Sequence, residues 1–563
     1  MSNQEPIGYI IGGGLKEGFR ARLTVPAEMV QEGSFVVCES GRFLYYGLVT
    51  DLQLGSTDPR FTDEKSDRLQ PAIQHNLLGK TLYTTLTIYP TLMLDRGPED
   101  PDEFSAWRDR IEKGLENPGP RPVKTIPAHH TPVRQANAGD VAEIFSGSFV
   151  IGQTIEQGHP VQLDLERFVK RSSGIFGATG TGKSFLTRMV LAGLMREDVA
   201  AALVFDMHNE YAFDDLDSDK GITVQGLKSL FGTKVQVAAL GKGATVRGHN
   251  PDFTLEIGLS DFQTSDIILL TDALNLTDTA AVTLNALERD FGRDWFAAFM
   301  KLEPGAVETD PESGKTYPAP NSVAAWARSS NVHEKAAEAL HRKLKLIYDK
   351  AYVVEHPAGD PVQAIVDQLE NGRHVILSFG QYDNDLDYLL VSNILTRRIR
   401  DKWVEKTEKF KSFGGTRPKP LLIAIEEAHK LLNPQLANQT AFGIIARELR
   451  KYFVTLLVVD QRPSGIDDEV MSQLGTRITG WLGDEDDIRA VLTGLAGREQ
   501  LRGMLARLQE KEEVLLLGWG VKMPIPIRSR RYDQTFYAEM KGRKTGKATN
   551  EMSLDELNAD LFS

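Results

Sequence analysis

Up to residue 95 the apolar positions fall in short β-rich runs separated by glycine and polar turns: IGYIIGGG, FRARLTV, SFVVCES, RFLYYGLVTDLQLG and TLYTTLTIYPTLML. Short strands at that spacing predict a small β-barrel or sandwich over residues 1–95. Residues 96–160 start with proline and charge (RGPEDPDEF, ENPGPRPVKTIPAHHTPV), which predicts an irregular excursion, and close on the β-like AEIFSGSFVIGQ, read as the last barrel strands. Strands and helices then alternate over 161–254 and 353–530: GIF, an apolar helix, AALVFDMH, VILSFG, a long helix from 385, PLLIAIEEAH, TLLVVDQRP, TRITGWL and EEVLLLGWG. That order predicts an α/β fold with a parallel sheet. Between 255 and 352 the pattern turns helical (TSDIILLTDALN, TAAVTLNALERDF, VHEKAAEALHRKLKLIYDKAY), an insertion of three or four helices. A charged extension, 531–563, ends NADLFS and is expected to fray or to clasp a neighbour.

The first chemistry lies between GIF and the helix. Gly177, Ala178, Thr179, Gly180, Thr181, Gly182, Lys183 and Ser184 fit a glycine, four residues, then Gly-Lys-Ser, with Phe185 opening the apolar helical run. Glycines let consecutive backbone N–H groups turn inward around phosphate oxygens. Lys183 would reach the β- and γ-phosphates, Ser184 would offer its hydroxyl to Mg²⁺, and the helix dipole favours the same anion. Triple glycine 12–14 has no following helix and reads as a turn.

Composition narrows the class without changing that picture. A chain of 563 residues, 41% hydrophobic, has material for two to four domains. No run approaches the length of a membrane span and the N-terminus lacks the layout of a secretory signal, so a cytoplasmic protein is expected. The single Cys38 fits a reducing compartment, and His129-His130 sit in a proline-rich loop. A net charge of −13 argues against a basic coat for nucleic acid but leaves room for a local basic lining.

Hydrolysis needs carboxylates beside the loop. LLIAIEE ends an apolar strand on Glu426, at the Walker B position beside Mg²⁺ where aspartate is commoner, and Glu427, the expected water-activating base. Gln461 closes TLLVVD as a polar sensor within reach of the γ-phosphate. Asp206, His208 and Glu210 follow another strand's C-terminal end, with Asp206 a further candidate near the metal. The glycine-rich LGKGATVRGHNP carries Lys242, Arg247 and His249, read either as a phosphate-touching pore loop or as an ordinary basic turn. No sequence-reading DNA motif is visible.

Taken in order, GATGTGKS, VFDMHNEY, IEEAHK, ARELRKYFVTLLVVDQRPSGID and MSQLGTRI resemble the HerA family of hexameric ATPases, related to the FtsK translocases. The resemblance covers most of the chain and implies a RecA-like core with an N-terminal β-barrel and a helical insertion. It further implies ATP and Mg²⁺ as cofactors, assembly into a homohexamer, and movement of double-stranded DNA through the ring's pore beside a NurA-like nuclease. In such a ring each ATP lies at a subunit boundary and an arginine can act from the neighbour. The candidates are Arg171, Arg447, Arg450 and Arg462, with Arg171 and Arg450 the pair that the family pattern favours. A second reading is a ring that assembles an anti-phage effector, Sir2-like or nuclease, with the barrel as docking platform and the acidic 96–125 segment as a possible contact surface. The sequence leaves the choice between repair and defence open.

Overall fold

The computed structural model of the protein describes residues 5–57, 82–216, 221, 223–311 and 314–542. The terminal NADLFS, read above as fraying or clasping a neighbour, lies outside these residues.

The N-terminal runs form a closed barrel. Strands Gly18–Leu23, Gly8–Gly14, Pro132–Gln135, Phe35–Ser40, Phe43–Ser56 and Leu82–Asp95 are neighbours in that order, and the first pairs back onto the last with Phe19 opposite Ile88. Closure is helped by bulges in the long Phe43–Ser56 strand at Tyr46/Gly47 and Val49/Asp51, which bend it around the apolar interior. That interior holds Phe19, Val36, Cys38, Tyr45, Val49, Leu86 and Ile88. Burial pushes the Cys38 thiol up to about 12, so it stays protonated.

Two features of 96–160 differ from the sequence expectation. The proline-rich stretch contains a regular helix, Pro101–Glu112, with Pro101 at its start and the Asp100 carboxylate accepting from the N–H groups of Asp102 and Glu103. The strands Phe149–Thr154 and Pro160–Leu163 are not barrel strands. They join the far edge of the large sheet through Ile525–Ser529, because their inward residues Ile151 and Val161 pack into the main core.

The barrel's strand Pro132–Gln135 is tied to the helix Ala138–Ile144 by buried Arg134, which donates to Glu39 (2.8 Å) and to both oxygens of buried Asp140 (2.6 and 3.2 Å). Removing one partner of a buried ion pair costs about 3–5 kcal/mol because the other charge is left uncompensated. Arg134→Ala is therefore expected to lower the barrel's calorimetric melting transition by several degrees. Arg328→Ala, at the exposed Arg328–Glu334 pair, should leave the trace unchanged. Equal transitions for the two variants would contradict this account.

Among the described residues twelve strands build the core sheet. Eight are parallel: Phe253–Leu255, Val235–Leu240, His374–Ser378, Ala201–Asp206, Leu421–Ile425, Val454–Asp460, Ser173–Phe176 and Thr476–Thr479. Glu513–Gly518, Ile525–Ser529, Phe149–Thr154 and Pro160–Leu163 extend it antiparallel. The central strands are buried along their whole length, which is why LLIAI and VTLLVVD read as unbroken apolar runs. The unit from Ser173–Phe176 through the helix Lys183–Glu197 to Ala201–Asp206 is a wide crossover. Leu421–Ile425 and Val454–Asp460 lie between its two strands, so both deliver their C-terminal ends beside the loop that precedes the helix.

The insertion contains helices Thr264–Ile268, Thr279–Phe291, Trp295–Met300, Val323–Ser329 and Glu334–Tyr348, and a small hairpin of Val307–Thr309 with Thr316–Pro318. The following helix, Asp385–Phe413, runs for 29 residues. Among the described residues, no helix is long and apolar enough to cross a membrane.

Candidate nucleotide-hydrolysis site

The loop Gly177–Gly182 links the strand Ser173–Phe176 to the helix Lys183–Glu197. Gly177, Gly180 and Gly182 have φ of 157°, 81° and 88°, and a Cβ on Gly177 would meet Thr181 Oγ1 at 2.7 Å. The chain can therefore curl only with glycine there. The loop is pinned from outside: Ala178 N–H donates to the Trp481 carbonyl (2.9 Å), and Gly480 N–H to that of Phe176 (2.8 Å). Thr181 Oγ1 donates to the Ala178 carbonyl (2.7 Å), as does Lys183 Nζ (2.9 Å). Among the described residues no side chain caps the start of the helix, an arrangement suited to a polyphosphate at its first N–H groups. Burial lowers the Lys183 pKa, and Glu427, Asp460, Glu210 and Glu426 act in the opposite direction. Ser184 is half-buried and Phe185 exposed, the ring of Phe185 beside Tyr532 at 6.4 Å.

Two strands away, Leu421–Ile425 ends on the carboxylate pair. Glu426 is buried: its Oε1 accepts from the Tyr211 hydroxyl (2.6 Å), its carbonyl from the Tyr388 hydroxyl (2.8 Å), and its Oε2 has no hydrogen-bond partner among the described residues. Burial, then the nearby Asp206, raise its pKa well above the ordinary carboxylate range. A buried carboxylate oxygen with an open acceptor position beside a phosphate loop is chemically suited to a divalent cation. Asp206, expected near the metal, is linked to this carboxylate through Tyr211. Its oxygens accept the N–H groups of Glu210 (2.7 Å) and Tyr211 (2.9 Å), so it shapes the turn that presents the Tyr211 hydroxyl to Glu426. Burial pushes Asp206 up to about 6. His208 is exposed, and Glu210 contributes its carbonyl to Arg188.

Glu427 takes a left-handed backbone, φ 45°, a conformation that costs a non-glycine residue about 1–3 kcal/mol and accumulates at working sites. It turns the side chain away from the strand, and Gln461 Nε2 donates to both of its oxygens at 3.3 Å. Gln461 Oε1 in turn accepts from Thr179 Oγ1 of the loop (2.6 Å). A single amide thus connects the phosphate loop to the second carboxylate.

Sequence reasoning missed what fixes this arrangement. Buried Asp460 accepts the N–H groups of His429 and Arg462, each at 2.6 Å, and lies 2.9 Å from His429 Nδ1. That hydrogen bond raises the His429 pKa. The imidazole is 3.6 Å from Glu427. The aspartate closing VVD and the histidine of EEAH were visible; their meeting depends on strand order. Buried Arg477 was also missed: it donates to the carbonyls of Met471 and Val491, at the ends of helices Asp468–Gln473 and Glu485–Val491.

The candidate arginines separate by edge. Arg462 is exposed on the loop side of the sheet, beside Gln461. Arg447 donates to the Ala437 carbonyl (3.0 Å). Arg171 and Arg450 both precede their strands, Ser173–Phe176 and Val454–Asp460, and so belong to the opposite edge. About 20 Å of extended chain separates Arg171 from the phosphate loop.

In the glycine-rich loop Lys242 is exposed, whereas Arg247 forms an ion pair with Asp215 and His249 stacks on Phe213 at 4.6 Å. A DNA contact by Arg247 would compete with that pair.

Residues 149–399 match the family model described as Helicase HerA, central domain. The chain is 25% identical over 537 residues to the DNA double-strand break repair helicase HerA of Sulfurisphaera tokodaii, covering 94% of this chain and 93% of that one. It is 24% identical over 529 residues to the protein of the same name from Saccharolobus solfataricus, covering 93% and 91%. Among solved structures, VirB4 of Thermoanaerobacter pseudethanolicus overlays 68% of this chain and 96% of its own, at 16% identity and a TM-score of 0.43. A phosphate loop continuous with its helix and a carboxylate pair two strands away make this chain a P-loop ATPase, and over nearly its whole length it is similar to the HerA helicases, whose central-domain model it matches across both sides of the insertion.

Proposed function

We propose that this chain is an ATP-driven motor for double-stranded DNA, acting as a six-subunit ring. The observation that carries the ring is the division of the machinery between two edges of one sheet. The phosphate loop, Glu426, Glu427 and Gln461 occupy the C-terminal edge, and Arg171 and Arg450 the N-terminal edge. Within one subunit these arginines are too far away to serve the bound nucleotide, but head-to-tail packing would bring them to the next subunit's site. The names of the full-length relatives, DNA double-strand break repair helicases, support DNA as the substrate.

Loop amides, Lys183 and the start of the helix hold the phosphates, while Gln461 reports their presence to Glu427, which accepts the proton of the attacking water. Mg²⁺ would be held by Ser184 and Glu426, with Asp206 linked to Glu426 through Tyr211. It would neutralise phosphate charge, and its positive charge would offset the burial and the Asp206 repulsion that raise Glu426's proton affinity. The acidic surface balance suits a ring that meets DNA only in its pore and leaves cutting to a separate nuclease of the NurA kind.

ATP turnover of the purified protein, with and without linear duplex DNA, together with its mass in solution, tests this reading. A six-subunit mass and turnover raised several-fold by duplex DNA are expected. A well-formed ring indifferent to duplex DNA would remove the motor assignment and favour the effector-assembly role.

A further inference from the structure

We propose that Trp519 is a positioning residue for Arg171: its indole is the plate on which the guanidinium is laid out before it meets a neighbour's nucleotide. The inference rests on the trans role given to Arg171 above.

The Arg171 guanidinium carbon lies 3.7 Å from the centroid of the Trp519 ring, the shortest cation–ring contact among the described residues. The approach is built into the backbone. The aliphatic part of Arg171 runs over Gly475, where a Cβ would sit 2.6 Å from Arg171 Cβ. Gly518 turns the chain into Trp519 with φ 93°, and a Cβ there would come within 1.9 Å of the Gly475 carbonyl oxygen. Trp519 N–H donates to that same carbonyl (2.8 Å), and Gly475 N–H donates to the carbonyl of Ser172 (2.7 Å). Gly520 N–H donates to Thr476 Oγ1 (2.9 Å). Ring and guanidinium are thus referenced to one short stretch of backbone, with glycine at the two positions where a side chain would separate them.

Neither side chain belongs to the fully buried core: Arg171 is half-buried. Trp519 remains 48% exposed. Among the described residues no carboxylate lies within ion-pair distance of Arg171, and its buried Nε has no partner. The nearby charge is Arg450, another cation; burial and Arg450 both lower the Arg171 pKa. An arginine stacked on an exposed aromatic, beside a second arginine and without a carboxylate, is arranged for an anion that arrives from outside the chain. Holding the side chain in advance removes the rotamer entropy that engagement would otherwise cost.

The test measures ATP turnover of the full-length ring carrying Trp519→Ala, Trp519→Leu or Trp519→Phe, each in the wild-type and the Arg171→Ala background. Trp519→Ala and Trp519→Leu should lower kcat about tenfold, with KM for ATP and the six-subunit mass unchanged, and Trp519→Phe should retain most of the rate. In the Arg171→Ala background Trp519→Ala should add no further loss. Wild-type kcat in Trp519→Ala rings, or the same fold-loss in both backgrounds, would overturn the proposal. Arg171→Ala rings that hydrolyse at the wild-type rate would overturn it too, and would locate the fault in the trans reading of Arg171.

Discussion

Replacing Glu427 by glutamine is expected to lower ATP turnover by about a hundredfold or more, the usual effect of removing a general base, while nucleotide affinity and ring mass stay as they were. Glutamine has nearly the same shape, can still accept from Gln461 Nε2, and gains nothing or loses nothing in the strained backbone at φ 45°. It cannot accept a proton from water. The neighbouring carboxylates are otherwise engaged: Glu426 is buried with Tyr211 on one oxygen and a strongly raised proton affinity, and Asp460 is occupied by two backbone N–H groups and by the His429 imidazole, which it holds in place beside Glu427. Single-turnover hydrolysis combined with titration of a fluorescent ATP analogue separates chemistry from binding. Substantial turnover in Glu427→Gln would remove the base assignment.

The reason a carboxylate alone does not make this site is visible in its connections. Thr179 Oγ1 meets Gln461, Gln461 meets Glu427, and Asp460 ties the backbone after Gln461 to the backbone after Glu427. A shift of the loop by a phosphate group would therefore be felt at the water-activating carboxylate through two hydrogen bonds. In the ring proposed above, this path would let the state of the loop bias the orientation of Glu427.

How much of this could be read from the chain follows from what each feature depends on. Strands such as LLIAI and VTLLVVD are buried on both faces, so their composition alone marks them. The phosphate loop is local, its chemistry contained in eight consecutive residues. The helix Pro101–Glu112 was legible too: Asp100-Pro101-Asp102-Glu103 is a helix start, outweighed in the sequence reading by the surrounding prolines and glycines. The strands Phe149–Thr154 and Pro160–Leu163 were misplaced because β-pattern says nothing about which sheet a strand joins. Tyr211 on Glu426, His429 on Asp460 and Trp519 over Arg171 are separated by 215, 31 and 348 positions respectively. Such meetings are set by strand order, and strand order is non-local.

Removing the Arg171 guanidinium should cost more than any other single change outside the phosphate loop and its carboxylates: Arg171→Ala rings are expected to lose about a thousandfold in turnover, the scale of an arginine supplied in trans. The distinctive expectation is rescue. Lys183→Ala subunits lack the phosphate-binding lysine but keep Arg171, and Arg171→Ala subunits keep an intact loop, so each ring alone is inactive. Mixed by dissociation and reassembly at equal amounts, a working site forms wherever a Lys183→Ala subunit offers its Arg171 to a neighbour's intact loop, which allows up to about a quarter of the wild-type rate in a head-to-tail ring. The geometry leaves little room for rescue by any other route, because Arg171 and the loop sit at opposite ends of the strand Ser173–Phe176 within one subunit. If mixing restores nothing although mixed rings form, Arg171 does not act across the boundary.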